Sequence, residues 1–277
     1  NWIGRIDDPS MMLSNSEQFP LLNAMFLIMR QALSWREHLL EYPSEPFGTS
    51  NAPRYYSYSL HRKVVMTEYI VMKQVVDAFY AFKEFSAEAK QTIVMNSYNY
   101  WLPFNMSVLT ALYGDGSVKT CYMHRIMYFD TNFDSLISWV QSDYEVRLNN
   151  DSNCQLVARH LHKFLTGNVP MLVSALRYMK LNDYEMAAVY LLILIETNKS
   201  VAPMDTHAQH TLNHIREQLL KELYEFYEDD DKWRLGEILL LLCSIMETGN
   251  DFLESITLMD VCKRKIVYFA LRNNNEE

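Results

Sequence analysis

His207, His210 and His214 stand at i, i+3 and i+7, a spacing that gathers three imidazoles on one side of a helix and would suit a divalent metal. The same stretch carries an apolar stripe of Leu212, Ile215, Leu219, Leu223 and Phe226. The histidines therefore read as the solvated face beside a core face, and no metal is assigned. His160 and His162 flank Leu161 and point to different faces of a helix, so they cannot share an ion. Glu222, Glu225 and Glu228 read as another solvated face. The four cysteines, Cys121, Cys154, Cys243 and Cys262, show no C-x-x-C spacing and read as reduced, mostly buried thiols of an intracellular protein. There is no phosphate-cradling glycine loop, no nucleophile elbow and no H-E-x-x-H. No catalytic residue or cofactor is assigned, and the chain is read as a non-enzyme.

A chain of 277 residues can bury a sizeable core. Seven glycines and eight prolines are too few for a turn-rich β architecture. A net charge of −9, with no basic cluster beyond Lys263-Arg264-Lys265, argues against nucleic-acid binding by these residues. The longest apolar run, Met186 to Ile195, is too short to span a bilayer, and no secretory leader is read. Opening on Asn1 suggests a processed product or an excised domain.

The elements that must position these side chains follow from periodicity. Glu17–Tyr42 is predicted helical, Pro43–Pro53 a loop, and Leu60–Phe82 a second helix. Ser86 is an N-cap, with Phe85 in the staple position and Glu88 in the first turn of a helix reaching about Leu112. Pro103 should kink that helix or remove one of its hydrogen bonds. Gly114-Asp115-Gly116 reads as a turn, and Ser117–Asp130 as a strand or hairpin. Helices follow over 132–147 and 152–179, the second broken near Gly167 and Pro170. Asn182 and Glu185 form a capping pair before the most apolar helix. Residues 205–229 are amphipathic, with Glu217 and Lys221 as an i,i+4 pair, and Asp231 caps a last long helix through Met246. The tail is expected to fray. One domain is expected over residues 1–277, with its helical core about 17–260.

The corner "AFKEFSAEAKQTIVMNS", residues 81–97, resembles the signature of nuclear hormone receptor ligand-binding domains. In that family one helix ends in Phe-x-x-Leu and Asp-Gln-x-x-x-Leu-Leu opens the next. Phe82, Phe85, Lys90, Gln91 and Val94-Met95 take those places. Leu176–Asn198 resembles the family's eighth-helix region, and Leu219–Leu242 its ninth and tenth helices. The three blocks stand in register, and their style is similar to the divergent nematode-type members. The resemblance implies an all-α fold, a three-layer antiparallel α-helical sandwich with a small β-hairpin. It implies the ligand-binding, regulatory domain of a transcription factor in the nucleus, burying a lipophilic small molecule and recruiting coregulators. The alternative is a ligand-independent (orphan) interaction domain of the same fold, its cavity filled by side chains.

The resemblance also implies roles for particular residues. Glu185 and Arg234 match the family's structural ion pair. Val65, Met66, Tyr69, Met72 and Val76 match ligand-lining positions on the family's third helix, and Trp101, Asn105 and Val108 those on its fifth. Met123 and Met127 fall on the hairpin side. Relatives that bind acids hold the carboxylate with an arginine on the fifth helix, but Ala87–Leu112 holds no Arg or His and only Lys90, so the expected ligand is neutral. At the two lysine positions of the coactivator groove stand Asp77 and Asn96, with Lys73 and Lys83 about a helical turn away. After Asp260, "CKRKIVYFAL" lacks the apolar-apolar-x-Glu-apolar-apolar pattern of the activation helix. The last long helix, Leu235–Met246, is the expected surface for a homo- or heterodimer. DNA contact would belong to a separate zinc-bearing domain, and no membrane is implied.

Overall fold

Helix α1 (Pro20–Leu40) opens on a proline, which loses nothing at a position where the amide has no helical partner. The computed structural model describes residues 17–40, 54–55, 58–115, 119–124, 127–142, 151–199 and 206–262. The expectations for residues 1–16, the Pro43–Pro53 loop, the turn at Gly116 and the tail from residue 263 lie outside the described residues, as does the Cys262 side chain.

After α2 (Tyr58–Ala78), Phe79 leaves the helical backbone and a short 3-10 turn, Tyr80–Phe82, makes the corner. Helix α3 (Ala87–Tyr113) starts at Ser86, whose Oγ accepts from the Ala89 amide at 3.1 Å. Inside the corner, Phe79, Phe82 and Phe85 meet ring to ring at 5.0 and 5.3 Å, all buried. The polar residues between them stay outside. Pro103 does not break α3, which runs on as one helix, and the Ser107 hydroxyl donates to the Pro103 carbonyl at 2.9 Å.

Strands β2 (Thr120–His124) and β3 (Met127–Asp130) pair antiparallel, with Cys121 opposite Phe129 and an irregularity between Tyr122 and His124. A third strand, β1 (Arg54–Tyr55), adds parallel to β3, so the sheet order is β1-β3-β2 rather than a bare hairpin. Two residues are too few to show a period-two pattern.

Helix α4 (Phe133–Gln141) is capped by Asn132. Helices α5 (Asp151–Lys163) and α6 (Val169–Met179) are joined by a π turn, Phe164–Asn168, where the sequence suggested a break. Phase explains the turn. Buried Val157 and Leu176 lie nineteen residues apart, which in an unbroken α-helix leaves them about 100° out of step. One residue absorbed by the π turn restores the phase. Pro170, lacking an amide, could not have served the Thr166 carbonyl in α geometry.

A capping box opens α7 (Asp183–Glu196), with Asn182 and Glu185 bonding each other's backbone amides. Helix α8 (Thr206–Phe226) follows, then a 3-10 turn at Asp229–Asp231 and α9 (Trp233–Cys262). Asp231 thus lies within the turn rather than capping α9, and α9 runs well past Met246. Lys221 meets Glu225 at 3.8 Å on the outer face of α8.

Helices α1 and α2 form one outer layer, α5, α6 and α9 the other, and α3, α7 and α8 lie between. The central position of α7 explains its lack of a polar face: Met186 through Ile195 are all buried. Where α9 crosses α3, a Cβ built on Gly249 would lie 2.1 Å from the Tyr100 ring. Gly249→Ala is therefore expected to destabilise the fold by about 1–3 kcal/mol, read as a lower denaturant midpoint at unchanged slope.

Candidate functional site

The residues expected to line a ligand site converge from three directions. Val65, Met72 and Val76 of α2 are buried, as are Trp101, Asn105 and Val108 of α3 and Met123 and Met127 of the sheet. Met66 and Tyr69 are half-buried. Tyr69 is turned toward Met95, whose Sδ its hydroxyl approaches at 3.9 Å, and it meets the Tyr98 ring edge-on at 6.0 Å.

The polar atoms of this region already have partners. The Trp101 indole donates from Nε1 to Glu68 Oε2 at 3.3 Å, and its ring lies 4.5 Å from that of Tyr190 on α7. The Tyr190 hydroxyl donates to Asn105 Oδ1 at 3.1 Å. Behind them sits a pair that sequence reading missed. Arg36 of α1 grips Glu68 of α2 with both arms, Nε to Oε1 at 2.6 Å and Nη2 to Oε2 at 3.0 Å, and both residues are buried. Burial works against the Arg36 charge, but the adjacent Glu68 carboxylate holds the guanidinium pKa above its ordinary value.

The structure brings Glu185 and Arg234 together in the same forked geometry, at 2.5 and 2.8 Å. Glu185 is wholly buried, while the Arg234 side chain keeps 22% of its exposure. The hydrogen bond to Glu185 is the main reason the Arg234 pKa is raised. Tyr227 also donates to Glu185 Oε1 at 2.7 Å, and Arg234 Nη2 caps the Met179 carbonyl at 3.2 Å. One carboxylate therefore ties the start of α7 to the end of α6 and to the α8–α9 junction.

On the outer surface, Lys73, Asp77 and Lys83 are exposed. Asp77 faces Lys90 at 3.9 Å. Asn96 donates to Asn198 Oδ1 at 2.9 Å. Asn198 is itself fully buried and donates to the Leu194 carbonyl at 2.9 Å, so Asn96 is tied to the end of α7.

Glu222 corrects the reading of its helix face. It is only 4% exposed and accepts from the Leu21 amide at 3.0 Å through Oε2, and from the Leu22 amide at 3.0 Å. Gln218 donates to its other oxygen at 3.0 Å. A carboxylate thereby meets the positive end of α1. His207, His210 and His214 are exposed, and among the described residues no group of three or more His, Cys, Asp or Glu could hold a metal. His160 is exposed, while His162 Nδ1 donates to the Thr131 carbonyl at 2.9 Å. Among the described cysteines, Cys121 and Cys154 are buried and Cys243 is exposed.

Burial pushes the Cys121 thiol from 9.0 up to about 12. It also raises Tyr190, and it raises Tyr227 together with the bond to Glu185. In the unfolded chain the thiol and phenols ionise near their ordinary values of 9.0 and 10.0, whereas the folded chain holds them neutral to higher pH. The stability they contribute is full below about pH 9 and is lost as pH rises above it. A urea midpoint falling steadily from pH 9 to 11, and flat from 7 to 8.5, is the expected result.

The family described as the ligand-binding domain of nuclear hormone receptor matches residues 63–262. Among solved structures, the Ultraspiracle ligand binding domain from Drosophila melanogaster superposes with a TM-score of 0.58 at 12% identity, covering 86% of this chain and 89% of that one. No curated protein matches the sequence. The chain belongs to the nuclear hormone receptor ligand-binding domain family. It is a ligand-binding, regulatory domain, and the family's domain regulates rather than catalyses. Among the described residues no helix is long and apolar enough to cross a membrane.

Proposed function

We propose that this domain takes up a neutral lipophilic small molecule between α2, α3 and the sheet, and passes its state to coregulators in the nucleus. The observation that carries the neutral choice is charge. The buried cation near these positions, Arg36, is fully engaged by Glu68, and Lys90 of α3 faces Asp77 at the surface. A buried carboxylate ligand would find no free partner among them. Val65, Met66, Tyr69, Met72, Val76, Trp101, Asn105, Val108, Met123 and Met127 are the lining this reading assigns. Coregulator docking falls to the surface of Lys73, Asp77 and Asn96. DNA contact falls to a separate domain.

Native mass spectrometry of the 277-residue chain, followed by organic extraction, tests the ligand. A lipid-like mass released on unfolding supports it. A bare mass, with no thermal shift across a panel of neutral lipids, favours the second reading, a ligand-independent interaction domain. That reading draws on the ring contacts of Tyr190 with Trp101 at 4.5 Å and with Phe104 at 5.0 Å, and on the complete burial of Met72 among the same lining positions.

Dimerisation is assigned to the first half of α9, where Trp233 is 56% exposed, Leu240 is 71% exposed and Cys243 is exposed on one face. Leu240→Arg is expected to convert a dimer to monomer in sedimentation velocity. A wild-type chain that stays monomeric at high concentration would leave this face to a heterologous partner.

A further inference from the structure

Four consecutive residues of α9 are each held by a neighbour, and the neighbours come from two different elements. Gly249 lies so close to the Tyr100 ring of α3 that no side chain fits between them. The Tyr100 hydroxyl donates to Asn250 Oδ1 at 2.8 Å. Asn168, in the π turn and 9% exposed, donates from Nδ2 to Asp251 Oδ2 at 2.6 Å. The Phe252 ring meets Phe164, at the other end of the π turn, with centroids 5.4 Å apart.

On either side of these residues α9 has a different character. Before them, Ile238, Leu241, Leu242 and Ile245 are part of the main core. After them, Leu253 is 40% exposed, Glu254 and Thr257 are exposed, and Ile256, though buried, does not join the main core. The Ser255 and Thr257 hydroxyls bond to carbonyls of their own helix, Asp251 and Leu253.

We propose that Gly249–Phe252 is a mechanical pin that divides α9 into a fixed arm, Trp233–Thr248, and a distal arm, Leu253–Cys262, that opens independently. Local opening costs what it exposes and breaks. No described side chain of the distal arm belongs to the main core; of them only Ser255 and Ile256 are buried. Opening the pinned residues breaks a charge-assisted hydrogen bond, a hydroxyl bond and a ring contact together. A displacement that enters from the distal arm therefore stops at Phe252 and does not reach Leu240. The π turn supplies half of the pin, so the α5–α6 layer and the fixed arm keep one register. Nothing in this depends on which ligand or partner the domain takes.

Hydrogen–deuterium exchange of the whole chain tests it. The expected wild-type profile is slow exchange through residue 252 and a sharp rise from 253 to 262. Asn168→Ala should move that step back toward Thr248, raising exchange at 249–252 by roughly tenfold, while amides of α3 and α7 keep their rates. Tyr100→Phe, which removes only a hydroxyl, should move it the same way by a smaller factor. Three outcomes overturn the proposal: α9 exchanging as one unit to Cys262, a step that stays put in both variants, or a rise spread equally over α3, α7 and α9. The last would make these contacts ordinary contributors to global stability.

Discussion

Arg36→Ala is expected to destabilise the domain by about 3–5 kcal/mol and to lower its melting temperature by roughly 10 °C. The loss does not measure what the pair contributes. It measures what Glu68 suffers once alone. Glu68 is 2% exposed, and without Arg36 its carboxylate keeps only the Trp101 indole among the partners described above. Water reaches it poorly, so the desolvation cost stays unpaid. The paired substitution Arg36→Met with Glu68→Leu removes both charges and should recover most of the loss, since buried ion pairs replaced by apolar groups are often neutral. A single-variant loss under about 1 kcal/mol would mean that Glu68 is hydrated after all.

Arg234→Ala should cost about 3 kcal/mol, toward the lower end for a buried partner. Two differences from Arg36 set that order. Arg234 is partly exposed, so water can enter where its guanidinium stood. Glu185 also keeps the Tyr227 hydroxyl at 2.7 Å and the Asn182 amide at 2.7 Å. Removing that hydroxyl as well, in Arg234→Ala with Tyr227→Phe, should cost more than the two single losses added, because the remaining donor matters more once the first is gone. Chemical denaturation of the four members of this cycle gives the coupling directly. Strict additivity would show that Tyr227 and Arg234 do not share the Glu185 charge.

Much of the fold was legible in the sequence, and what escaped has physical reasons. The break before Ser86 and the two N-caps, Ser86 and Asn182, could be read because capping depends on local residue types, whereas the helix expected to reach Phe82 ends at Ala78 and gives way to a 3-10 turn. The π turn was readable only as a disturbance at Gly167 and Pro170; its purpose lies in the phase of burial on both sides. Strand β1 is two residues long and exists only through its partner. Among site residues, Glu185 could be placed because it is at once a capping residue and the match to a family position. Arg36 and Glu68 lie on separate helices 32 residues apart, and nothing local in either marks it as buried. Glu222 was misread for the same reason. Its neighbours Glu225 and Glu228 are exposed, and only the approach of a helix start two hundred residues earlier in the chain gives it a role.

That last contact bears on where the domain begins. The family match opens at residue 63, after α1. Yet α1 brings Arg36 to Glu68 and the Leu21 and Leu22 amides to Glu222. A fragment trimmed to the matched residues would thus strand two carboxylates in its interior, one in an outer layer and one in the middle. Such a fragment should express as an aggregating or partly unfolded species. Adding back a separate peptide of residues 17–40 should restore it in trans, with its affinity supplied by those two acidic docking points and the apolar stripe between them.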